Sequence, residues 1–263
     1  MKERKEPIVK TKISVMLVVA VALVASPACA LFDDFENGVG GYIVYAPWGN
    51  VSGDSTTPNG INNLVTTATN EHSKSGIRSA RAWASDPAAW NGYADFGATA
   101  GGVRAEVWVF EDLSDPGTLN PVTNMLSLYG DSGTNNPGAF TDYLQLGVVP
   151  FYPAGSQGYG WRTLVGGINN ASPATARKAG WTKLAIDADA LASGGQVRFY
   201  IDGALVGTSV RKSGVSLRWV RLGNNSKSYE NFWYDDLSVV PEPSSFLALL
   251  AGIPALALLR RRR

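Results

Sequence analysis

Between residues 31 and 240, hydrophobic and polar positions alternate in short runs divided by clusters of Gly, Asn, Asp and Pro. A period of two marks half-buried strands. Twelve runs qualify: 31–36, 77–83, 93–96, 103–110, 125–129, 143–149, 160–165, 182–187, 196–201, 204–210, 217–223 and 233–239. No stretch of this body carries a helical period. Many short strands with turn signals between them pack as an all-β, antiparallel, two-sheet sandwich. The firmest register is a hairpin, Val197–Ile201 joined to Ala204–Gly207 by Asp202-Gly203, a pair that accepts the positive φ angles such a turn needs.

Successive side chains of a strand point to opposite faces, so each run divides in two. Ala105, Val107 and Val109 oppose Arg104, Glu106, Trp108 and Phe110. Leu144, Leu146 and Val148 oppose Tyr143 and Gln145; Val197, Phe199 and Ile201 oppose Arg198 and Tyr200; Val220 and Leu222 oppose Trp219 and Arg221. An aromatic ring covers the apolar face of a pyranose, while planar donors and acceptors fix its hydroxyls. Trp108, Tyr143, Gln145, Tyr200, Trp219 and Arg221 are therefore candidates for one glycan-binding groove. The alternative is that these rings fill the interior or stiffen a solvated sheet through cross-strand pairs.

The chain has 263 residues, 45% of them hydrophobic and 17% charged, enough for one sizeable core. Nine of its 23 basic residues lie at the two ends. Residues 31–240 hold 14 Lys and Arg against 19 Asp and Glu, a net charge of −5 that repels phosphate backbones and excludes a nucleic-acid partner. Cys29 is the only cysteine, so no internal disulfide forms. His72 is the only histidine, so a catalytic triad would have to use it or dispense with histidine. Glu106 and Glu111 are five apart, on opposite faces of an extended strand, which removes the usual carboxylate pair of a glycosidase. Neither a phosphate-binding Gly loop nor zinc-ligand spacing is present. A non-enzymatic role is the expectation, with no catalytic residue and no cofactor beyond a structural Ca²⁺ discussed below.

The ends read as addresses. Residues 2–12 are basic, Ile13–Ala25 is an apolar run of 13 residues, and Ala28-Cys29-Ala30 offers small residues for cleavage. That order is a secretory signal helix, residues 1–30, removed after Ala30. The competing use of Cys29 is lipidation, which Pro27 and Ser26 fit poorly. At the other end Pro241-Glu242-Pro243 precedes an apolar run, Phe246–Leu259, and the cluster Arg260, Arg261, Arg262 and Arg263. Sixteen residues from Ser244 rise about 24 Å as helix, slightly short of a ~30 Å hydrocarbon core, and a cationic cluster stays cytoplasmic. Residues 241–263 resemble the PEP-CTERM sorting signal of Gram-negative bacteria. The resemblance implies a short transmembrane helix, recognition by a membrane-embedded exosortase after the secretion machinery, and transient inner-membrane association. It further implies final residence at the cell surface or in an exopolysaccharide matrix.

The body, residues 31–240, carries two further resemblances. Gly180-Trp181-Thr182-Lys183-Leu184 with Val197–Thr208 resembles laminin-G and concanavalin-like sandwiches. Phe32-Asp33-Asp34-Phe35-Glu36-Asn37-Gly38 with His72–Ala80 resembles the opening of jelly-roll carbohydrate-binding modules. Both imply a jelly-roll β-sandwich. Asp33, Asp34 and Glu36 near the start and Asp235 and Asp236 near the end would gather where first and last strands meet, and close carboxylates repel unless a hard cation binds. The second resemblance implies a structural calcium, carried over to Glu36 and Asp236; solvated strand-end carboxylates are the alternative. The expectation is an exported surface or matrix protein that binds exopolysaccharide or other glycans, with a purely structural matrix protein and a glycan hydrolase or lyase as alternatives.

Overall fold

The computed structural model describes residues 30–36, 65–66, 72–82, 91–112, 124–131, 143–148, 158–164, 168–170, 175–223 and 232–242. Its strands are β1 (Leu31–Asp33), β2 (Val65–Thr66), β3 (Ala80–Ala82), β4 (Asn91–Thr99), β5 (Val103–Glu111), β6 (Asn124–Gly130), β7 (Tyr143–Val148), β8 (Gly158–Leu164), β9 (Ile168–Asn170), β10 (Thr175–Ala176), β11 (Gly180–Ala188), β12 (Gln196–Ile201), β13 (Ala204–Val210), β14 (Leu217–Gly223) and β15 (Phe232–Pro241). All twelve expected runs contribute a strand. The three additional ones, β2, β9 and β10, have two or three residues each, too short for alternation to register.

Eight strands form one antiparallel sheet in the order β13-β12-β11-β5-β15-β3-β2, with β1 also on β15; seven form the other, β10-β8-β7-β6-β14-β4, with β9 on β8. The aliphatic half of each run faces the partner sheet. Val107 and Val109 of β5, Ile186 of β11 and Phe199 of β12 meet Leu126 and Leu128 of β6, Leu144 and Leu146 of β7, and Val220 and Leu222 of β14 in one buried core. Each such side chain contributes roughly 1.5–3 kcal/mol on burial, which makes the alternation decisive for the fold.

Asp202 and Gly203 turn with φ of 50° and 81°, both left-handed, and Ile201 pairs with Ala204 as expected. First and last strands are neighbours: Leu31 lies opposite Val239 and Asp33 opposite Leu237. Farther along the same side of β15, Phe232–Tyr234 pairs with β3. Between these two pairings β15 bulges at Asp236 (φ 49°), so Tyr234 and Leu237 both face the core.

Several strand ends differ from expectation, and two of them bear on the site. Residues 77–79 are loop rather than strand, because the Ile77 and Arg78 amides are donated to the Glu36 carboxylate instead of a neighbouring strand. At the other end β15 reaches Pro241, so the last strand runs into the Pro-Glu-Pro segment. Pro241 closes β15 opposite Val103, and the Glu242 amide donates to the Gly102 carbonyl at 2.7 Å. A Cβ on Gly102 would meet the Glu242 carboxyl at 2.4 Å, so the Glu242 side chain lies directly over this glycine. The segments expected to form a signal helix and a transmembrane helix, with Pro243 and Arg260–Arg263, lie outside the described residues. Among the described residues no helix is long and apolar enough to cross a membrane.

Candidate functional site

The six groove candidates do not share a surface. Tyr143, Gln145, Trp219 and Arg221 lie on the outward face of the seven-stranded sheet, whereas Trp108 and Tyr200 lie on the outward face of the eight-stranded one. The hydrophobic core separates the two groups. Alternation distinguishes inward from outward but not one layer from the other, so it cannot separate these two outer faces.

On the seven-stranded sheet, in-register positions form two ranks. Tyr93, Arg221, Ser127, Gln145 and Arg162 follow one another across β4, β14, β6, β7 and β8; Trp219, Tyr129 and Tyr143 form the next. A shift between Leu217 and Trp219 lets Leu217 and Val220 both enter the core while Trp219 turns outward. The Tyr129 hydroxyl accepts from Gln145 Nε2 at 2.9 Å and from Arg221 Nη1 at 3.1 Å, and Arg162 Nε donates to Gln145 Oε1. The Arg162 guanidinium lies over the Tyr143 ring at 5.3 Å and that of Arg221 over Tyr93 at 5.0 Å. Burial lowers the pKa of Arg162, with nearby Arg221 acting in the same direction. Tyr93, Tyr129, Tyr143 and Trp219 form an aromatic cluster of their own, and none of the four is more than 9% exposed. Its indole N–H has no hydrogen-bond partner among the described residues. Tyr93, Tyr129 and Arg162 were missed in the sequence, although the same alternation, Tyr129 against Leu128 for instance, would have placed them.

The outward face of the eight-stranded sheet is a charge grid. Arg104 reaches Glu106 (3.2 Å) and Asp187 (3.7 Å), Lys183 reaches Glu106 (3.1 Å), and Arg198 reaches Asp189 (2.8 Å). Burial pushes Glu106 upward, but hydrogen bonds from Lys183 and Arg104 outweigh it and leave the carboxyl below its ordinary pKa. Trp108 sits beneath the Lys74 ammonium at 4.3 Å, and Tyr200 beneath Arg104 at 5.9 Å. These two rings serve a cation-capped, solvated sheet.

Residues 72–78 lie across this face. His72 stacks on Phe110 at 3.8 Å and meets Trp233 edge-on at 4.4 Å. Asp235 Oδ2 accepts the amides of Lys74 and Ser75 at 2.7 and 3.0 Å, Asp236 Oδ1 accepts the Ser75 hydroxyl at 2.6 Å, and Glu36 Oε1 accepts the amides of Ile77 and Arg78. Burial raises Asp235 to a pKa of about 6, against three amide hydrogen bonds that favour its ionised form. Glu36 and Asp236 thus engage protein donors, and among the described residues no three His, Cys, Asp or Glu are grouped to hold a metal ion.

Glu106 and Glu111 do face opposite ways. Glu111 is buried on the inward side, paired with Arg177 at 2.7 Å, while Glu106 belongs to the outer grid. Near the seven-stranded sheet's outer face, Asp95 and Asp131 are both bound by Arg218, at 2.8 and 3.3 Å.

No family model and no curated protein sequence matches the chain. Solved structures match it in fold. An endo-1,3-β-glucanase from Streptomyces sioyaensis superposes with a TM-score of 0.52 at 14% identity, over 83% of this chain and 99% of that one. The fold is a two-sheet jelly-roll sandwich. A basic winged bean lectin gives 0.44 at 10% identity, over 69% of this chain and 93% of the lectin. A sialidase gives 0.47 at 9% identity over 82% of this chain, which spans only 19% of that protein. At these identities the likeness is one of architecture, and function must come from the site.

Proposed function

We propose that the chain is an exported, non-enzymatic surface or matrix protein whose jelly roll binds glycans through the outward face of its seven-stranded sheet. The observation that carries this is the Arg162–Gln145–Tyr129–Arg221 chain of planar donors and acceptors, flanked by Tyr93, Tyr143 and Trp219 on a sheet face turned away from the core. Rings beside fixed planar polar groups are what a sugar's apolar face and hydroxyls require. Export is supported by the basic–apolar–small-residue start and by the Pro-Glu-Pro, apolar and arginine segments at the end. The non-enzymatic part is supported by the opposed facing of Glu106 and Glu111 and by the ties of Asp95 and Asp131 to Arg218.

A second reading, a structural matrix protein without a ligand, is favoured by burial: the four rings pack as a small interior of their own. A glycan array separates the two. Saturable binding that is lost in Tyr143→Ala, with near-ultraviolet circular dichroism retained, supports the proposal. Silence across the array leaves the structural role standing, and release of reducing sugar or unsaturated uronide would make the protein an enzyme.

A further inference from the structure

The body's two ends come out at one corner. Because β1 and β15 run antiparallel with Leu31 opposite Val239, Ala30 and Pro241 lie at the same end of the eight-stranded sheet. The exit is firmly held: Glu242 is bonded to Gly102 and closely seated on it, and Arg211 donates to the carbonyls of Thr99 and Gly101 in the same turn. On the outward face of this corner stand Phe32, 69% exposed, and Val240, 41% exposed. Phe32 is opposite Ser238, so Val240 is its diagonal neighbour across the strand pair, and Arg104 lies opposite Val240 on β5.

Only four residues carry the chain from Glu242 to Phe246, where the apolar run begins. Fully extended they reach at most about 14 Å. A tail whose apolar run starts at the hydrocarbon boundary therefore holds this corner within the headgroup region or just above it, and an exposed aromatic flanked by an aliphatic and a guanidinium suits that boundary.

We propose that the Phe32–Val240 corner is a membrane-apposed surface that rests on the lipid headgroups while the apolar tail is attached. The proposal depends on the membrane-held tail of the preceding section. The test uses the mature chain, residues 31–263, in vesicles of phosphatidylethanolamine and phosphatidylglycerol, so that the C-terminal apolar run is the one membrane-seeking segment left. Phe32→Cys, then the single cysteine of that chain, carries an environment-sensitive fluorophore, and Leu205→Cys on β13, also well exposed, serves as the control. On chains that float with the vesicles, the label at 32 is expected to shift to the blue and lose emission to a lipid-borne quencher, while the label at 205 does neither. Equal behaviour of the two labels on floating chains overturns the corner proposal alone. A blue shift at 32 in lipid-free solution that grows with protein concentration assigns the patch to a second copy of the chain and also overturns it. Chains that do not float at all overturn the tail reading, and this proposal with it.

Discussion

The outward faces of the two sheets begin from the same sequence pattern, aromatic and polar residues alternating with aliphatic ones, and reach opposite ends. On the eight-stranded sheet Trp108 and Tyr200 lie under lysine and arginine in a partly solvated lattice of ion pairs. On the seven-stranded sheet Trp219, Tyr129 and Tyr143 are buried together and the polar groups between them are hydrogen-bonded side chain to side chain. A ring's value to stability and recognition depends on what covers it. Exposed ion pairs are worth ~0–1 kcal/mol, whereas a buried donor stripped of its acceptor costs roughly 1–3 kcal/mol.

Substitutions at matched positions should expose this asymmetry. Trp219→Ala is expected to lower stability by about 3–5 kcal/mol in denaturant unfolding, and Trp108→Ala by about 1 kcal/mol. Equal losses would mean that the two faces are equally buried. Tyr129→Phe strips an acceptor from both Gln145 and Arg221 and should cost about 2–3 kcal/mol. Its counterpart Tyr200→Phe should cost about 0.5 kcal/mol or less.

Asp235 offers a smaller, pH-dependent effect. Its folded pKa of about 6 lies above the ordinary aspartate value of about 3.9, so the folded chain favours the protonated form. This group's contribution to stability is complete below about pH 4 and is lost as pH rises through about 6. Asp235→Asn should remove that slope between pH 4 and 7, whatever its effect on the absolute melting temperature. A slope that persists would assign it to another group. The smallest expected effect is that of chelator: with Glu36 and Asp236 holding the 72–78 loop through protein donors, EDTA should leave the melting temperature unchanged, and a fall would restore calcium to this corner.

Much of this architecture was legible in the chain. Val107, Leu144, Phe199 and Val220 face the core as their alternation requires, and Asp202-Gly203 turns where its φ preferences allow. Layer membership was not legible, because a period of two says nothing about which sheet a strand joins: Trp108 and Trp219 share a pattern but belong to different sheets. Nor was the stacking of His72 on Phe110, a contact between residues far apart in sequence that no local pattern encodes. Glu36, Asp235 and Asp236 were correctly gathered at the meeting of the first and last strands, but their partners are amides and a hydroxyl of the intervening loop.

The most direct measurement compares glycan retention across the two faces. With the glycan that gives the strongest array signal immobilised, Tyr143→Ala should lose retention, Tyr143→Phe should keep most of it through the ring, and Trp108→Ala should bind like the unaltered protein. Loss in Trp108→Ala with retention in Tyr143→Ala, or no retention by the unaltered chain, would contradict the assignment of glycan binding to the seven-stranded sheet.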